Sequence, residues 1–163
     1  MKRRLKGRSS GLSMITIPDG SQVLADDETK RFFESTDRPD PSNESLSRLL
    51  SEVTRARIFD GGMSEGKPLW HTVLLDVTNA EEAAQLCERL AIVEPALGVH
   101  CMCYGDQTVE LRDGGDDVIA VLGLHDGVSL RWDGWSCDAE LKNGRALLDW
   151  IDGHGVHFPR PNG

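Results

Sequence analysis

Val118-Ile119-Ala120-Val121-Leu122-Gly123-Leu124-His125-Asp126-Gly127-Val128-Ser129-Leu130-Arg131-Trp132 is the stretch on which the fold is decided. Two β-type runs, Val118–Leu124 and Val128–Trp132, flank His125-Asp126-Gly127, and the Asp-Gly pair suits a tight turn needing φ > 0. Upstream, Val99–Tyr104 and Thr108–Arg112 have the same character, separated by Gly105-Asp106-Gln107 and followed by Asp113-Gly114-Gly115-Asp116-Asp117. Links this short join antiparallel neighbours, so the four runs predict a meander.

Helical periodicity brackets that meander. Trp70 to Val77 has the β-branched density of a buried strand and ends in Thr78-Asn79-Ala80-Glu81, the S/T-x-x-E capping box. A helix is expected next, with Ala83, Leu86, Leu90 and Val93 on one side, stopped by Pro95 and Gly98. After the meander, a last helix starts at Asn143, turns Leu147, Leu148 and Ile151 inward, and stops at Gly153 or Gly155. The order β-α-β-β-β-β-α predicts an α+β fold: a mostly antiparallel four- to five-stranded meander sheet with helices packed on one face.

The front of the chain is looser. Met14 to Ile17 and Gln22 to Leu24 read as short extended pieces around Pro18-Asp19-Gly20-Ser21, and Asp26 to Ser35 as one or two helical turns. Thr36-Asp37-Arg38-Pro39-Asp40-Pro41-Ser42-Asn43 is a linker by composition. Leu46, Leu49, Leu50 and Val53 then fall at i, i+3, i+4 and i+7, an amphipathic helix with Ser42 or Asn43 as N-cap. We therefore expect a disordered basic tail at 1–12, a loosely structured segment and linker over 13–43, a single α+β domain over 44–157 and a C-terminal tail at 158–163.

Charge is unevenly placed along the 163 residues. There are 27 acidic and 18 basic side chains, a formal charge of −9. Lys2, Arg3, Arg4, Lys6 and Arg8 give the tail +5 without an acid, which leaves −14 on the rest. That acidity argues against a nucleic-acid binder, whose face is basic, and no run has the apolar length of a membrane helix. Gly7-Arg8-Ser9-Ser10-Gly11 interrupts any apolar core a secretory signal would need, so a cytoplasmic protein is expected, with its four cysteines held as thiols.

Residues about 98–156 carry His100-Cys101-Met102-Cys103-Tyr104-Gly105-Asp106, Gly123-Leu124-His125-Asp126-Gly127, Ser129-Leu130-Arg131-Trp132 and Gly144-Arg145-Ala146-Leu147-Leu148-Asp149-Trp150. This pattern resembles a stretch shared by a family of uncharacterised bacterial proteins. The resemblance implies a domain there, in a bacterial protein, and brings no activity or functional residue with it.

Two sets of residues carry chemistry. The first is Cys101, Cys103, His125 and Cys137, a set that would serve a zinc site or a thiol-dependent enzyme if the meander folds them together. Against zinc, C-x-C on a regular strand holds its Cα atoms about 6.6 Å apart, wide for shared ligation, and C-x₂-C is absent. No cofactor is therefore expected, zinc being the one alternative. The second set is the segment Arg131, Trp132, Asp133, Trp135, Asp138 and Glu140, an acidic, Trp-containing loop suited to protein contact. Trp70 and Trp150 lie in apolar periodic segments and are expected in the core.

Neighbouring motifs dissolve on inspection. Asp113, Asp116 and Asp117 miss the EF-hand pattern because Gly115 occupies the second ligand position. Gly7-Arg8-Ser9-Ser10-Gly11 matches G-x-S-x-G without the strand and helix a nucleophile elbow needs. The sequence thus favours a small acidic cytoplasmic protein that binds a basic protein partner without catalysis, as an inhibitor or immunity-like antagonist does. The alternative is a metal- or thiol-dependent enzyme at Cys101, Cys103, His125 and Cys137.

Overall fold

The computed structural model describes residues 13–16, 22–25, 38–97 and 103–158. The expected basic tail, the expected helical turns of 26–35 and the greater part of the first meander run, including Cys101, lie outside them. The chain divides into two compact units, Met1–Arg38 and Pro39–Gly163. In the first, β1 (Ser13–Thr16) pairs antiparallel with β2 (Gln22–Ala25), Met14 opposite Leu24.

The second unit starts with α1 (Asn43–Leu50). Ser42 caps it in extended backbone, its Oγ accepting from Ser45 N at 3.1 Å. Leu46 is buried while Leu49 and Leu50 pack half-buried against the core; Val53 is buried too, though beyond the helix. There follow β3 (Arg55–Asp60), a small hairpin of β4 (Met63–Ser64) and β5 (Lys67–Pro68), then β6 (Val73–Val77) and α2 (Ala80–Glu88). The chain closes with β7 (Gln107–Arg112), β8 (Val118–His125), β9 (Ser129–Trp132), β10 (Ala139–Glu140) and α3 (Gly144–Gly153).

The fold is α+β, with an antiparallel sheet of six strands in the order β10-β9-β8-β7-β3-β6. Strands β7, β8 and β9 are the last three runs of the expected meander, but β10 and β3 are additional strands, β3 inserted between β6 and β7. Its alternation of Arg55, Ala56, Arg57 and Ile58 sends Ala56 and Ile58 inward and leaves the arginines outside. Cys103 and Tyr104, expected as the end of a strand, are irregular, and Gly105 in the expected connection has φ +88. Leu124 O instead accepts from Asp106 N at 2.8 Å, so pairing starts only at Gln107.

One core joins sheet to helices. Ala56, Ile58, Val109, Leu111, Leu122, Leu124 and Leu130 meet Leu46, Leu86, Leu90, Leu147 and Ile151, all buried. Burying each such aliphatic side chain contributes about 1.5–3 kcal/mol. On the opposite face lie Arg57, paired with Asp76 at 3.3 Å, and Glu110, paired with Arg112 at 2.6 Å. Trp150 is buried as expected, its Nε1 donating to Gln85 of α2 at 3.2 Å. Trp70 is not: it is 62 % exposed, because β6 starts only at Val73 and the indole lies over the backbone of Gly61. The cap of α2 is displaced by one residue, since Asn79 Oδ1, not Thr78, accepts from the backbone at Glu82 N, 2.8 Å away. No helix among the described residues is long and apolar enough to cross a membrane.

Candidate functional site

The β8–β9 turn is the fixed point of the site. Asp126 and Gly127 have φ of 50 and 64, a left-handed pair at the centre of the turn, Val128 N donates to His125 O at 2.7 Å, and strand pairing resumes with Ser129 opposite His125. The turn is braced from behind by α3. A Cβ on Gly144 would fall 1.8 Å from Gly127 O, so the helix starts against the turn's own backbone.

On one side of this turn is a cleft of about 570 Å³, within the size range of ligand sites. Asp60 at the end of β3, Asp106 before β7 and Asp126 in the turn line it, together with Leu148, His157 and Phe158. All three aspartates are exposed, and among the described residues none is in an ion pair. Asp106 Oδ2 accepts from Asp126 N at 2.7 Å, which ties the Asp106 carboxylate to the backbone of the turn. On the turn's other side is an apolar groove of about 290 Å³ lined by Val93, Pro95, Leu97, Val128, Asp138 and Glu140.

Of the thiol and imidazole set, the structure joins two members. Cys103 Sγ lies 3.0 Å from His125 Nδ1. His125 is 8 % exposed, and burial, reinforced by the charge of Arg131, lowers its pKa below the ordinary imidazole value against the pull of Asp138, Asp106 and Asp126. Its Nε2 has no hydrogen-bond partner among the described residues. Arg131 Nη1 donates to Cys103 O at 2.6 Å, while its Nε and Nη2 grip Asp138 at 2.8 and 2.7 Å.

The expectation that every cysteine is a thiol fails for Cys103, which is disulfide-bonded to a sulfur outside the described residues. Cys87 and Cys137 are free; Cys137 is buried, and burial pushes the Cys87 thiol up to about 11. A disulfide sulfur is no thiolate ligand, and among the described residues no group of three or more His, Cys, Asp or Glu side chains is placed to hold a metal.

The Trp-containing loop is less open than its composition suggests. Trp135 is 1 % exposed, its Nε1 donates to Ser45 Oγ at 3.0 Å, and Trp132 meets it edge-on at 5.6 Å. Asp138 is buried in its pair with Arg131. Trp132 and Asp133 are half-buried, which leaves Glu140 as the fully exposed member of the set. The three-aspartate cleft escaped the sequence reading because its members sit 20 or more positions apart, at a strand end, a bend and a turn. The one available signal was an Asp at each of these element ends.

Compared with family models, curated proteins and solved structures, the chain matches none. Its chemistry is therefore read from its own residues.

Proposed function

We propose that this protein is a binding module for a basic protein partner, acting in the manner of an inhibitor or immunity-type antagonist. The observation that carries the reading is the set of three unneutralised carboxylates, Asp60, Asp106 and Asp126, around one cleft. Carboxylates facing water without a counter-cation create a negative potential that speeds encounter with a cationic surface. The groove beyond the turn adds apolar anchorage at Val93, Leu97 and Val128, and Glu140 extends the acidic rim. An apolar centre with a charged border is the ordinary make-up of a protein interface. Within the Trp-containing loop, Trp135, Arg131 and Asp138 serve to hold the surface in place, and Glu140 and Asp133 to meet the partner.

Titration of a Lys/Arg-rich peptide by calorimetry at low and physiological salt tests the reading. The wild type should bind, with affinity falling as salt rises, and Asp60→Asn/Asp126→Asn should lose at least tenfold. A double variant of equal charge change away from the cleft, Glu44→Gln/Glu81→Gln, should lose far less. Equal losses in both variants, or no binding at low salt, would refute the cleft as the contact.

A further inference from the structure

We infer that the basic partner binds as an extended segment, added to the sheet as a seventh strand along β6 with a cationic side chain entering the aspartate cleft. The inference rests on the function proposed above and names the form its partner takes. A sheet of six strands has two edges, and the fold treats them differently. At β10 the edge is covered: Val93 N donates to Glu140 O and Lys142 N to Ala91 O, so residues 91–93 take up the pairing. At β6, among the described residues, pairing is with β3 alone. A strand paired on one side offers a row of backbone N–H and C=O groups to another chain. Lysine and proline, which commonly protect a bare edge, are absent from Val73-Leu74-Leu75-Asp76-Val77. Its one charge, Asp76, is paired with Arg57 at 3.3 Å, and Val73 is 45 % exposed.

An irregularity in the strand joins this edge to the cleft. Ile58 lies opposite Leu75 and Phe59 opposite Val73, so Leu74 is the extra residue of a bulge, a device that re-aims a side chain. Leu74 lines the cleft with Asp60, Asp106 and Asp126. A segment lying on β6 thus reaches the carboxylates at Leu74 without leaving the sheet. Those carboxylates choose the occupant. A second copy of this chain would bring a formal charge of −9 to an acidic site, and like charges repel; a segment bearing Lys or Arg meets the opposite sign. In strand addition the main-chain hydrogen bonds supply affinity and alternate side chains supply specificity. Here the bare edge takes the backbone, whatever its sequence, and the cleft selects a cation at one position of it.

The probe is an octapeptide alternating Arg and Val, titrated by calorimetry against the full chain at low salt beside two forms N-methylated on every second residue, one in each phase. The parent peptide should bind, and Asp60→Asn/Asp126→Asn should weaken it at least tenfold. Only one set of alternate amides can face β6, so one methylated form should lose at least tenfold while the other stays within about threefold of the parent. On binding, hydrogen exchange at the amides of Val73–Val77 that are not given to β3 should slow at least tenfold. Two methylated forms that bind alike, whether as well as the parent or equally badly, would overturn strand addition and leave the acidic cleft standing as the contact. Exchange on β6 that ignores a bound parent would do the same. A parent that does not bind, or that is indifferent to Asp60→Asn/Asp126→Asn, would overturn both.

Discussion

Asn43 and Ile92 exchange two hydrogen bonds across the chain: Asn43 Nδ2 donates to Ile92 O at 2.8 Å and Asn43 Oδ1 accepts from Ile92 N at 2.9 Å. A side-chain amide thereby stands in for a strand. Residues 91–93 run beside 140–142, with Lys142 N donating to Ala91 O and Val93 N to Glu140 O, both at 2.8 Å, so Ile92 is bonded through its neighbours on one side and by Asn43 on the other. Asn43→Ala leaves both backbone groups of a buried residue unpaired, and should cost about 1–3 kcal/mol in urea unfolding. Asn43→Asp keeps the acceptor but loses the donor and sets a second charge against Glu94, now 2.6 Å from Nδ2. It should be no more stable than the alanine variant at pH 7.

Trp135 fills the space between α1 and the loop after β9, so its removal opens a cavity and takes away the indole donor to Ser45 Oγ, which keeps its bonds to Ser42. Trp135→Ala should destabilise by about 3–5 kcal/mol and flatten the near-ultraviolet circular dichroism that the edge-on Trp132 contact generates. Trp70→Ala, at an exposed position, should stay within about 0.5 kcal/mol of wild type. Equal losses at the two positions would contradict the burial assigned to them.

What could be read in the sequence, and what could not, divides along the same physical line. The Asp126-Gly127 turn, the inward leucines of α1 and α3 and the meander from β7 to β9 were all legible, because each depends on neighbours a few positions away. Strand β3 was hidden by the charges of Arg55, Arg57 and Asp60, although its alternation was present to be counted. Trp70, expected in the core, is on the surface, since burial of a single indole is decided by elements far off in sequence: the late start of β6 exposes it, as α1 covers Trp135. Pairing of Cys103 with His125 was legible only as a set of residue types, because Cys103 was expected within a strand whereas sheet pairing starts only at Gln107.

His125 makes stability depend on pH in a definite direction. Its folded pKa is lowered from 6.5, chiefly by burial, so below about pH 6.5 the unfolded chain takes up a proton that the folded chain resists. The unfolded state then binds more protons, and stability falls as the pH drops from 6.5 through the folded value; above 6.5 the contribution is level. Thermal melts at pH 7.5 and 5.5 should show a larger fall in Tm for wild type than for His125→Gln. An identical fall in both would mean that the buried imidazole plays no part.

The contact of Gly144 with Gly127 O bears on ancestry. A side chain at Gly144 would strike the Gly127 carbonyl, and one at Gly127 would press on the Leu148 side chain from strained backbone at φ +64. Substitution is costly at both, most of all at Gly144, whatever happens to the surface around them. A descendant too far diverged to be found by overall similarity should still carry this glycine pair at its own hairpin and helix start, which makes the pair a criterion for tracing distant kin.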